Sequence, residues 1–340
     1  MLAVPMGRPL VRARSPATRG PATPSARVVV AAVATLTLGC TSFVRHATYD
    51  RTASPAMRDV WMEYAVLVPA DFSGTERLPI VVFLHGGGDG PDCLDRAGLS
   101  ESITAAMASG ELPRALIVVP QGDLGFWTNW YDGSRSYEDW VLDDLLPLVA
   151  RRYHTLECPD GCHVMGVSMG AEGALRFAMH RPEMFASVTS VSGPALDTDR
   201  RIAFVEDRLW QSILPTYHVF GPPTPRWRVE RDDPYVRWRA PDALGTTRLY
   251  LAWGDDDHGD VREGAERLHA HLEAHGIPHV SAEFAGDHSW GSWGPVILDA
   301  LSVQIGGAPS DVPPTESTPP RDGRREGDDR DDDAAADARE

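Results

Sequence analysis

The stretch from His163 to Gly173 constrains this chain more than any other. It carries Gly-x-Ser-x-Gly, with Gly166, Ser168 and Gly170 at the defining positions. An apolar, strand-like run leads in, and a run of good helix formers, residues 171–179, leads out. A strand that turns into a helix over so few residues has no room for side chains at Gly166 or Gly170, which would collide with the neighbouring strand and helix. The serine at the corner is then held in a strained backbone conformation, and its Oγ projects above the sheet edge. The N–H groups that open the helix point at any oxyanion formed on a carbonyl attacked there. Alone, the pattern also fits a glycine-rich strand–helix turn with a capping serine. The order of the remaining residues decides between them.

Ile80–Leu84 is a continuous, β-branched apolar run of the kind buried on both faces of a sheet. It ends in His85-Gly86-Gly87-Gly88-Asp89-Gly90. A glycine-rich turn straight after a central strand brings backbone N–H groups close to a ligand. We assign the two oxyanion donors to the N–H groups of Gly87 and Met169, the second being the residue after the serine. Further strands are expected at 60–69, 115–120, 187–193, 248–253 and 279–284, and helices at 94–109, 137–153 (with Pro147 inside), 171–180, 261–275 and 293–303. This alternation implies a mostly parallel sheet with helices on both faces. Residues 196–244 break the rhythm with Arg, Pro and aromatics. They read as an insertion that partly covers the site, with ordinary crossover helices as the alternative.

Sheets with such a serine corner place the nucleophile, then the acid, then the histidine along the chain. The acid follows a late strand and the histidine follows the last one. Ser168, the run Asp255-Asp256-Asp257, and His288 satisfy this order. Asp257, three residues past Gly254, is the preferred acid, with Asp255, Asp256 and Asp260 as fallbacks. Three such groups perform acyl transfer through a serine ester. Asp255 to Asp260 with His258 also reads as a divalent-cation site, but EF-hand spacing is missing. His269, His271, His275 and His279 form a loose cluster in which only His271 and His275 share a helical face. No metal and no cofactor are expected. Trp127, Trp130 and Trp290 are candidate substrate-binding residues that would stack on an aromatic or sugar-bearing ester; core packing explains the same aromatics.

The formal net charge of −17 argues against a nucleic-acid partner. Residues 1–39 combine Arg8, Arg12, Arg14, Arg19 and Arg27 with an apolar run at 28–38 and a small residue, Gly39. That pattern is a secretory signal. The run is shorter than the roughly 20 residues a membrane-spanning helix needs. Cys40 directly after Gly39 resembles a lipoprotein signal, which would attach the chain to a membrane through lipidated Cys40; an ordinary signal peptide is the alternative. Residues 40–57 read as a polar linker, 58–305 as the catalytic domain, and 306–340 as a disordered acidic tail. In an oxidising compartment Cys158 and Cys162 suit a small disulfide loop.

Residues from about 60 to 305 resemble the esterase D-type α/β-hydrolases, which include feruloyl and other carbohydrate-linked esterases, S-formylglutathione hydrolase and mycolyltransferases. The matching pieces are Phe83-Leu84-His85-Gly86-Gly87-Gly88, Trp127-Thr128-Asn129-Trp130-Tyr131, Gly166-Val167-Ser168-Met169-Gly170, Arg181-Pro182-Glu183-Met184-Phe185 with Ser192-Gly193, and Gly286-Asp287-His288-Ser289-Trp290 with Trp293. Ala171 departs from the second glycine often found there. The resemblance implies an α/β-hydrolase fold, with a mostly parallel eight-stranded sheet, and serine-dependent carboxyl ester chemistry on a small-molecule or carbohydrate ester. An acyltransferase acting on cell-envelope acceptors and a non-catalytic surface binding protein are the alternatives on the same scaffold. Oligomeric state is not legible.

Overall fold

The computed structural model describes residues 45–306. Its strands are β1 (Thr48–Ser54), β2 (Val60–Leu67), β3 (Ile80–Leu84), β4 (Leu116–Pro120), β5 (Cys162–Val167), β6 (Ser187–Val191), β7 (Arg248–Gly254) and β8 (Val280–Phe284). They form one eight-stranded sheet in the order β1-β2-β4-β3-β5-β6-β7-β8. β2 pairs antiparallel with both β1 and β4, and the remaining pairs from β4 to β8 are parallel. The principal helices are α1 (Leu99–Ser109), α2 (137–153), α3 (Met169–His180), α4 (Thr198–Glu206), α5 (Gly259–Ala274) and α6 (Trp290–Ile305).

The unbroken apolar runs make sense in this frame. Ile80, Val82 and Leu84 of β3 join a core with residues of α2, α3 and α5. Val81 and Phe83 point the other way, into a second core with residues of α1 and α6. Both faces of the central strands are dry, so period-two alternation is invisible in their sequences.

Four expectations are refined. The linker at 40–57 is overturned within the described part, because residues 48–54 form β1 and pair with β2 in full register. Thr48-Tyr-Asp-Arg-Thr-Ala-Ser54 is polar, as solvent-facing edge strands are, so nothing apolar announced it. Asp144 fastens its end, accepting from Ser54 Oγ (2.5 Å) and from the Ala56 N–H (3.1 Å). The helix expected at 94–109 breaks at Gly98, whose φ of 71° lies in the left-handed region. Within α2, Trp140–Leu145 is wound as a π-helix just before Pro147. Pro147 has no N–H to give, and the widened turn accommodates its ring. Cys158 and Cys162 are bridged, closing the turn ahead of β5.

The insertion folds into α4 and four short helices, Arg208–Ile213, Thr216–Phe220, Trp227–Glu230 and Pro234–Arg237. Asp197, Asp207 and Asp233 accept from the first N–H groups of three of the five. The expected signal with Cys40, and the tail beyond Gly306, lie outside the described residues.

Candidate active site

Ser168 sits between β5 and α3 with φ 54° and ψ −119°, a strained conformation for a residue with a Cβ. The turn is as tight as its glycines imply. A Cβ on Gly166 would lie 2.1 Å from Gly170 O, and one on Gly170 would lie 1.9 Å from Leu84 O. Ala171, the departure from the family pattern, is accommodated from the far side: a Cβ on Gly193 would come within 2.8 Å of Ala171 Cβ. Met169 opens α3, so its N–H has no partner within the helix.

Three loops at the ends of strands converge on this serine. His288, between β8 and α6, places Nε2 2.8 Å from Ser168 Oγ. Its Nδ1 lies 2.6 Å from Oδ1 of Asp257, in the turn after β7. The Asp257 side chain is wholly buried. Burial pushes its carboxyl up, but hydrogen bonds from His288 and Ser192 outweigh that and hold it below its ordinary value. An ionised carboxylate only accepts. His288 therefore carries its proton on Nδ1, leaving Nε2 free to accept from Ser168. Of the fallback acids, Asp255 turns away and accepts the Gly286 N–H (2.9 Å), tying the acid loop to the histidine loop. Asp256 and Asp260 are exposed.

Sequence reasoning missed the support behind Asp257. Ser192, fully buried with φ 53°, accepts from Trp293 Nε1 at 2.9 Å and helps hold the Asp257 carboxyl below its ordinary value. Trp293 also sets its ring edge-on to His288, with centroids 4.8 Å apart. Both residues lie in the matching motifs, which offered a signal but no assignment. On the other side the exposed His258 ring lies 4.7 Å from His288, tilted by 34°.

The glycine turn after β3 stands directly beside Ser168, since a Cβ on Gly86 would lie 3.4 Å from Ser168 Cβ. Gly87 follows at once. His85 is buried and spans the turn: its Nδ1 lies 2.8 Å from Gly86 O, and its Nε2 accepts from the Gly122 N–H at 3.1 Å. Burial pushes this imidazole below its ordinary value, keeping it neutral. Trp127, expected at the substrate, is instead fully buried. Its Nε1 donates to His85 O at 3.2 Å, and its ring fills the space left by Gly122 and Gly173. The aromatic loop turns this ring inward because those two glycines leave it a slot. Trp290 also packs inward, stacking on Phe83 in the core opposite α3. Trp130 is half-buried and lines an open depression of about 420 Å³ with Gly88, Leu124, Tyr137 and Leu214 of the insertion.

A convergent serine, histidine and buried aspartate beside two backbone N–H groups is a constellation for attack on an acyl carbon. The family model described as "Putative esterase" matches residues 54–302. An esterase of Mycobacterium tuberculosis (strain H37Rv) is 30% identical over 246 residues, covering 66% of this chain and 51% of the relative. The chain thus spans about half the length of that curated relative. A solved ferulic acid esterase superposes with a TM-score of 0.65 at 19% identity, over 78% of this chain and 99% of the other. The S-formylglutathione hydrolase of Staphylococcus aureus gives 0.60 at 18% identity, over 76% and 98%. These neighbours share the α/β-hydrolase fold. Because the family match runs from the end of β1 into α6, through every strand that carries a site residue, the chain belongs to the putative esterase family.

Proposed function

We propose that this chain is a serine carboxylic-ester hydrolase working through an acyl-enzyme. The observation that carries the reading is the single imidazole of His288 bridging Ser168 Oγ and Asp257. His288 Nε2 takes the Ser168 proton as Oγ attacks the ester carbonyl. Asp257 holds the tautomer and stabilises the imidazolium. The Gly87 and Met169 N–H groups receive the oxyanion. On collapse the C–O bond of the ester breaks, and the alcohol leaves with the proton from His288. Water, activated by the same nitrogen, then attacks the acyl-enzyme, releases the acid and returns the proton to Ser168.

The substrate reading follows the depression beside Gly88. Its lining of Trp130, Leu124, Tyr137 and Leu214 suits a flat or apolar group, as in carbohydrate-linked or aromatic acyl esters. The basic and apolar N-terminal segment with Cys40 supports export and membrane attachment. Replacing Cys40 with Ser should move the chain from the membrane fraction to the soluble one.

The decisive experiment pairs a fluorophosphonate probe with an ester panel on wild type and Ser168→Ala. Labelling and turnover should both disappear in the variant. Turnover surviving in Ser168→Ala would sink the mechanism. Cleavage of short p-nitrophenyl esters with none of feruloyl or acetylated sugar esters would sink the substrate reading alone.

A further inference from the structure

A second cavity, of about 350 Å³, lies between the aromatic loop and the insertion. Trp130 separates it from the depression beside Gly88, lining both. Its walls include Tyr131 and Trp227 and three guanidinium groups, Arg201, Arg228 and Arg231.

Arg201 pairs with Glu172 and Arg231 with Asp232, but donors in this wall remain open. The Arg228 guanidinium lies over the Tyr131 ring, 4.0 Å from its centroid, and pairs with no carboxylate among the described residues. Arg201 is 3% exposed, and its Nε–H has no acceptor. The carboxylates here, Asp232 in the wall and Glu172 and Asp233 near it, are already engaged. Asp232 accepts from Arg176, His180 and Arg231. Glu172 accepts from Arg176 and Arg201. Asp233 accepts from the Thr198, Tyr235 and Val236 N–H groups. Three guanidinium groups, Arg176, Arg201 and Arg231, thus share two carboxylates, and Arg228 stands beside them with none, in a chain whose net charge is −17. Planar guanidinium forks grip oxyanions two bonds at a time, and indole faces hold flat rings.

We propose that this cavity binds a compact organic anion, a carboxylate carried on an aromatic or a sugar ring. Arg228 and Arg201 hold the oxyanion, and Trp130 and Trp227 flank the ring. The site does not depend on ester turnover.

Calorimetric titration of the full chain with benzoate and with glucuronate tests this, each beside its neutral counterpart, benzyl alcohol or glucose. At least one acid should bind one to one, about tenfold or more tighter than its counterpart, and the acid that binds identifies the ring. Arg228→Leu should weaken binding by about tenfold or more, and Arg228→Gln gives the same reading should the leucine variant fail to fold. Blocking Ser168 with fluorophosphonate should leave binding intact. No binding of either acid at millimolar concentration would overturn the proposal. So would unchanged affinity in both Arg228 variants, or loss of binding once Ser168 is blocked. A chain that the fluorophosphonate fails to label refutes the ester reading and leaves the Arg228 comparison to decide this one.

Discussion

Asp257 shows how much one buried carboxylate decides. It has no exposed side-chain surface, and it is kept charged by His288, Ser192 and its own turn. Its task on the proposed mechanism is to fix which nitrogen of His288 faces Ser168. In Asp257→Asn the amide can donate to Nδ1 and favour the wrong tautomer. We expect kcat to fall by about 10⁴-fold, with little change in KM. Steady-state kinetics over a pH series checks this, and a loss confined to KM would contradict it. Trp127 makes the complementary point. An aromatic next to the site is not thereby a substrate contact, for here the indole holds the glycine turn through His85 O.

At the scale of elements, the β5–α3 corner is a steric requirement. A methyl group on Gly170 would stand 1.9 Å from Leu84 O, a backbone atom that cannot rotate away. Gly170→Ala should therefore cost more than about 3 kcal/mol, measured as a drop in the urea midpoint, and should pull Ser168 out of line. The insertion is fastened to the same helix by His180. Its Nδ1 lies 2.9 Å from Glu138 Oε2 in α2, and its Nε2 lies 2.9 Å from Asp232 Oδ1 in the insertion. Burial pushes this imidazole down, but the two carboxylates outweigh it and raise it above its ordinary value. Both nitrogens donate only in the imidazolium form. A raised folded-state value means the stabilisation is complete below the unfolded value of about 6.5 and is lost as pH rises through the folded one. The melting temperature of wild type should exceed that of His180→Gln most near about pH 6 and converge with it at alkaline pH. A gap that stays constant across the series would refute this.

The described residues form two cores back to back across one sheet. Leu145 belongs to the core on the α3 face and Ile297 to the core beneath α6, and both are almost wholly buried. Leu145→Ala and Ile297→Ala should each cost about 2–5 kcal/mol. Separated by the sheet and sharing no partner, they should add to within about 0.5 kcal/mol in the double variant, as read by chemical denaturation. A coupling well beyond that would mean the sheet transmits strain from face to face. The loops at the C-terminal ends of β3, β5 and β7, with the loop after β8, meet at one edge of this sheet. Residues as distant as Leu84, Ser168, Asp257 and His288 become neighbours there because parallel strands end on the same side.

What the amino-acid order determined alone was whatever contiguous residues encode. The Gly166–Gly170 corner, the doubly buried run Ile80–Leu84, the glycine turn after it and the chain order of Ser168, Asp257 and His288 are all local patterns with local steric or topological causes. The fold places those last three within hydrogen-bond distance. Only the tertiary structure decided which way side chains face and what distant partner each meets. β1 is a strand because β2 offers it an edge, since its own residues carry no apolar pattern. Trp127 points inward because Gly122 and Gly173 leave it space, and Asp255 serves Gly286 because two loops from separate strands close together. The cationic cavity likewise needs the insertion folded against the aromatic loop, since its arginines come from the one and Trp130 and Tyr131 from the other.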